Sequence, residues 1–126
     1  MLNPDFVLIY VTDPQQSRVF YAALFGCEPV EESPTFALFV LTSGLKFGMW
    51  ARDKVEPAVT APAGGSELLF TVTDAESVQA MHRDWTARKL PIVQEPTQMD
   101  FGYTFVALDP DGHRLRVFAP SEEPGQ

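Results

Sequence analysis

The run HRLRVF at 113–118 alternates, so an extended chain puts His113, Leu115 and Val117 on one face and Arg114, Arg116 and Phe118 on the other. Arginines beside a phenylalanine form either a solvated sheet surface or the wall of a pocket. The run ELLFTV at 67–72 divides in the same way, with Leu68, Phe70 and Val72 against Glu67, Leu69 and Thr71. A carboxylate (Glu67) and a guanidinium (Arg116) on such a face can bind a polar substituent or pair with each other. Flat, polarisable rings suited to stacking a planar ligand are Trp50, then Tyr10, Phe101 and Tyr103. Gly102, between two aromatics, permits a close backbone approach, or reads alternatively as a bulge at a sheet edge. Trp50 reads alternatively as a plug at a sheet edge or a dimer contact.

Other chemistries find no support. His82 and His113 have no partner at metal-ligand spacing and read as structural or surface residues. The single cysteine, Cys27, rules out an intramolecular disulfide and a cysteine zinc site, and reads as a small buried filler. The glycines of APAGGS at 61–66 precede a strand rather than a helix, so they are linker and not a phosphate cradle. Trp85 falls on a helical stripe and belongs to the core.

These residues must be carried by a small scaffold. The chain has 126 residues, enough for one domain. It is 45% hydrophobic and 21% charged, a globular composition, and its net charge of −8 argues against nucleic acid as a partner. No secretory leader and no run long enough for a bilayer is visible, so no membrane partner and a cytoplasmic location are expected.

The scaffold is written twice. VLIYVTD at 7–13 and LLFTVTD at 68–74 are apolar strands closing on the same Val-Thr-Asp, with Asp13 and Asp74 placed as helix N-caps. Pro14 suits a first helical position and Gly26 a stop, with Val19, Phe20, Ala23 and Leu24 expected on the apolar face between them. In the second copy Val78, Met81 and Trp85 share a face. Each helix is followed by a short Pro-bounded strand, at 28–34 and 91–99, then by a hairpin, at 36–50 and 103–118. The result is an α+β fold of two βαβββ modules forming a curled, incompletely closed eight-stranded sheet with helices on the outer face. Module one spans 6–50, a linker 51–66, module two 67–118 and a fraying tail 119–126, within a single domain 1–126. One helix covers one face of each sheet, and two such sheets side by side leave a concave trough lined by the open faces.

The doubled unit, FYAALFG at 20–26 and DPDGHRLRVF at 109–118 resemble the vicinal oxygen chelate superfamily of glyoxalases, bleomycin resistance proteins and extradiol dioxygenases. Within it, LIYV, FGMW, DWT, FGYTF and DPDGHRLRV resemble the phenazine antibiotic resistance proteins. The superfamily's metalloenzymes carry four ligands at positions that correspond here to Phe6, Gly48, Glu67 and Arg116. Only Glu67 is a ligand type, and a guanidinium repels a cation, so no metal and no cofactor are expected. The resemblance implies capture of a small planar aromatic compound, an antibiotic of the phenazine type, by a homodimer. The ligand-binding residues it implies are Tyr10, Trp50, Glu67, Phe101, Gly102, Tyr103, Arg116 and Phe118, with no catalytic residue. Arg116 is expected to pair with Glu67 or to meet an acidic substituent of the ligand. The alternatives are a lyase, isomerase or dioxygenase using Glu67 as base, and a structural dimer whose trough is filled by its own side chains.

Overall fold

The computed structural model describes residues 2–121; the rest of the expected tail, 122–126, lies outside the described residues. The chain divides into two compact units between Pro62 and Ala63, inside the segment read as linker. Each unit is one βαβββ module, and each is described by itself.

In the first unit, strand β1 (Phe6–Val11) leads to helix α1 (Pro14–Phe25), then to β2 (Glu31–Ser33), β3 (Phe36–Val40) and β4 (Lys46–Ala51). The sheet order is β1-β4-β3-β2, with β1 and β4 parallel and the other neighbours antiparallel. The Asp13 side chain accepts the Gln15 N–H at 3.0 Å, and Pro14 opens the helix, as its missing N–H allows. Gly26 closes it, donating its N–H to the Ala22 carbonyl at 2.9 Å.

The face α1 buries differs from the expected one. Pro14, Ser17 and Tyr21 are buried, while Val19 and Ala23 are exposed. Asp13 and Pro14 fix where the helix starts, and this phase aims positions 14, 17 and 21 at the sheet. Hydrophobicity alone does not mark this stripe, because it contains Ser17. Tyr21 then meets Phe47 at 4.9 Å between ring centroids, and Phe25 meets Phe39 at 5.4 Å, both edge-on. With Met49 and Val11, fully buried, these rings are the core of the unit.

In the second unit, β5 (Glu67–Thr71) leads to α2 (Ala75–Ala87), β6 (Ile92–Met99), β7 (Gly102–Leu108) and β8 (Arg114–Pro120), in sheet order β5-β8-β7-β6. Asp74 caps α2, accepting the Ser77 N–H at 2.8 Å. Val78 and Trp85 face inward as expected, and Trp85 packs edge-on against Phe70 at 5.6 Å and Phe105 at 5.4 Å. The turn before β8 is built around Asp109, a buried carboxylate that accepts the backbone N–H of Asp111 at 2.9 Å and of His113 at 2.8 Å. That turn sets the register in which Arg116 lies beside Leu69 of β5.

The two-module α+β architecture is therefore as expected, with its eight strands bonded as two sheets of four. Two boundaries move. Ala51 ends β4 and a 3-10 turn, Arg52–Lys54, follows, so the linker begins later than residue 51. At the other end, β8 includes Ala119 and Pro120, because Ala119 is buried in register with Tyr103 instead of fraying.

Candidate functional site

The exposed face of the second sheet carries Glu67 and Leu69 from β5, and Arg114, Arg116 and Phe118 from β8. Phe101, in the turn between β6 and β7, completes a shallow depression of about 420 Å³ lined by Glu67, Leu69, Phe101, Arg116 and Phe118. Its floor is an ion pair. Arg116 Nε donates to Glu67 Oε1 at 2.8 Å, and Arg116 Nη2 donates to Oε2 at 3.0 Å, a bidentate fork on one carboxylate. The side chains are only 14% and 23% exposed.

The rest of the guanidinium is also held. Nη1 donates to Gln94 Oε1 at 3.1 Å and to Thr104 Oγ1 at 3.3 Å. The Thr104 hydroxyl is free to accept because it donates its own hydrogen to the Val117 carbonyl at 2.8 Å. These contacts use four of the five N–H groups an arginine possesses. The hydrogen bonds and charge of Arg116, with Arg114 adding a smaller attraction, hold the Glu67 carboxyl below the usual carboxylate range. Arg114 Nε lies 3.8 Å from Glu67 Oε2, and its side chain is 42% exposed.

The walls are apolar. Phe101 and Phe118 meet edge-on at 6.0 Å, and the Arg116 guanidinium carbon lies 5.6 Å from the Phe101 ring centroid. Leu69 is exposed beside Arg116. Four of the expected residues (Glu67, Phe101, Arg116 and Phe118) thus line one surface.

Gly102 and Tyr103 do not join them. Gly102, with φ 152°, pairs with Pro120, and a Cβ there would collide with the Ala119 carbonyl oxygen, so the glycine serves a close strand contact. Tyr103 shares the helix-side face of β7 with Phe105, and its hydroxyl accepts the Gln79 side-chain N–H from α2 at 3.0 Å. Tyr103 was expected among the stacking rings; alternation along β7 turns it the other way. Tyr10 and Trp50 are register partners on the open face of the first sheet, next to Phe36. Beside them, a Cβ on Gly48 would stand 3.0 Å from Phe6, 3.1 Å from Leu8 and 3.2 Å from Phe36, so these side chains already fill the space above it.

Three residues of the site escaped the sequence reading. Leu69 falls on the open face by alternation but carries no reactive group to single it out. Thr104 sits opposite Phe118, but residues 104–107 are all buried and no polar face marks which way it points. Gln94 lies where β6 shifts register twice, which removes the alternation that would reveal its facing.

Residues 3–117 match the Glyoxalase/Bleomycin resistance protein/Dioxygenase superfamily. The chain belongs to this superfamily. Phenazine antibiotic resistance protein EhpR of Enterobacter agglomerans is 32% identical over 119 residues, 92% of this chain and 91% of that protein. A protein of Agrobacterium tumefaciens solved by solution NMR is 47% identical, with a TM-score of 0.86, covering 96% of this chain and 99% of that one. A glyoxalase-related enzyme from Fulvimarina pelagi, at 21% identity, shares the fold with a TM-score of 0.80 over 94% of this chain and 88% of that one.

The superfamily includes metalloenzymes, but the donor set here does not fit a metal. Of the four corresponding positions, Phe6 and Gly48 offer no donor atom and Arg116 is a cation. Glu67 already has both oxygens on Arg116. Among the described residues no helix is long and apolar enough to cross a membrane.

Proposed function

We propose that this protein binds and sequesters a small planar aromatic compound of the phenazine class without a metal, and that this capture confers resistance. The observation that carries the reading is the bidentate Arg116–Glu67 pair, set beside Phe101 and Phe118 at positions that the superfamily resemblance assigns to metal ligands. A charge-compensated floor with aromatic walls suits a flat ring that is held and not transformed. Similarity to EhpR over most of the chain supports the ligand class. Trp50 and Tyr10, register partners within the first unit, offer a stacking surface of their own in this reading. The competing reading, Glu67 as the general base of a lyase, isomerase or dioxygenase, asks for proton affinity that Arg116 takes away.

The functional form in this proposal is a homodimer located in the cytoplasm. Phe6 and Leu8 are exposed on β1, a sheet edge, and a second copy would cover them. Sedimentation at several protein concentrations tests this, and a purely monomeric species would remove it.

Calorimetric titration with phenazine compounds tests the central claim, with mass spectrometry of the ligand recovered afterwards. Saturable binding with the ligand returned intact is expected. Conversion of the ligand on a catalytic timescale, with or without added divalent metal, would replace capture by catalysis. Expression in a phenazine-sensitive bacterium should raise the inhibitory concentration, and Phe118→Ala should reduce that protection.

A further inference from the structure

We propose that Glu67 is the polar anchor of the bound ligand, acting as a hydrogen-bond acceptor, so that the site selects planar aromatics bearing an N–H or O–H donor over those bearing a carboxylate. The proposal rests on the capture reading above and names the ligand chemistry of that same site.

The donor and acceptor inventory of the floor carries it. Arg116, the residue that an acidic ligand would be expected to seek, has four N–H groups committed to Glu67, Gln94 and Thr104. A ligand carboxylate can form a fork with it only by displacing Glu67, which would leave a partly buried carboxylate unpaired. Glu67 is in the opposite state. Among the described residues each oxygen accepts one hydrogen bond, both from Arg116, while an ionised carboxylate has about four lone-pair sites. Glu67 itself lines the depression that Phe101, Phe118 and Leu69 wall.

A flat ring resting on those apolar walls therefore presents its substituent to a fixed anionic acceptor. A donor there forms a charge-assisted hydrogen bond, and Arg116 keeps the acceptor from swinging away. A carboxylate at the same place meets a like charge at short range. Arg114 offsets part of that repulsion, but it is well exposed, so solvent weakens its pull.

The experiment compares three probes with one ring system: phenazine, phenazine-1-carboxamide and phenazine-1-carboxylate, titrated at pH 8 into the full-length protein and into Glu67→Gln. In the wild type the carboxamide should bind at least tenfold more tightly than either of the other two. In Glu67→Gln that advantage should fall to within threefold, and the carboxylate should gain at least threefold. The wild-type ranking stands without any variant, so poor folding of Glu67→Gln would not shelter the idea. Tightest binding by the carboxylate, or a ranking that Glu67→Gln leaves unmoved, would overturn the anchor while leaving aromatic capture intact. Binding by none of the three would instead remove the capture reading and the anchor with it.

Discussion

In Arg116→Met the aliphatic stem of the side chain is kept and the guanidinium is lost. Glu67 is then a carboxylate 23% exposed and without its fork, and Gln94 Oε1 and Thr104 Oγ1 each lose a donor. Removing one partner of a fully buried pair costs about 3–5 kcal/mol, and exposed pairs contribute about 1 kcal/mol or less. The exposures here lie nearer the buried limit, which gives about 2–3 kcal/mol for Arg116→Met. Glu67→Gln keeps the shape and one acceptor but leaves the guanidinium, 14% exposed, without its counter-charge, so its cost is about 2 kcal/mol. The double variant no longer strands a charge, so it should be more stable than the sum of the two changes implies, by roughly 1–2 kcal/mol. Urea unfolding of the four proteins at pH 7 reads this directly. With a denaturant slope of about 2 kcal/mol per molar, the Arg116→Met midpoint falls by roughly 1–1.5 M. Strict additivity, or an Arg116→Met midpoint within about 0.2 M of wild type, would refute the claim that this pair is the structural floor of the site.

Three more perturbations follow from the same structure. Because Arg116 holds Glu67 below the ordinary value of 4.5, the pair stabilises the fold fully above that pH and less as pH falls through the lower folded-state value. Urea midpoints measured from pH 7 down to 2 should therefore decline less steeply between 4.5 and 2 in Glu67→Gln than in wild type; parallel profiles would contradict the shift. Gly102→Ala drives a methyl group into the Ala119 carbonyl and should destabilise by about 2–3 kcal/mol, whereas Gly26→Ala, with open space around it, should cost nearer 1 kcal/mol by the same urea assay. Asp109→Ala removes the acceptor of two backbone N–H groups in the turn before β8, and a loss of about 2 kcal/mol is expected in thermal unfolding.

The Asp109 turn and the helix caps show how far local chemistry reaches. Asp13, Pro14 and Asp74 announce the helix starts, and Trp85 with Val78 announces the buried side of α2, because each effect is set within one or two turns of chain. The alternation of β5 and β8 is also legible, since one face of each is covered by a helix and the other is open. Legibility fails along β7, where Thr104, Phe105, Val106 and Ala107 are all buried and no polar face marks a direction, so Tyr103 was read toward the site when it points at α2.

By itself, then, the sequence determined two copies of a βαβββ unit, their helix starts, and a glutamate and an arginine on one open sheet face. Those features rest on periodicity and on contacts between near neighbours in the chain. Tertiary structure alone decided which stripe of α1 is buried, which way Tyr103 turns, and how Arg116 spends its hydrogen bonds. Glu67 lies 49 positions from Arg116, and Gln94 reaches it only through the register shifts of β6. Hydrogen bonds of that kind depend on where strands settle beside one another, and no local pattern of residues encodes it.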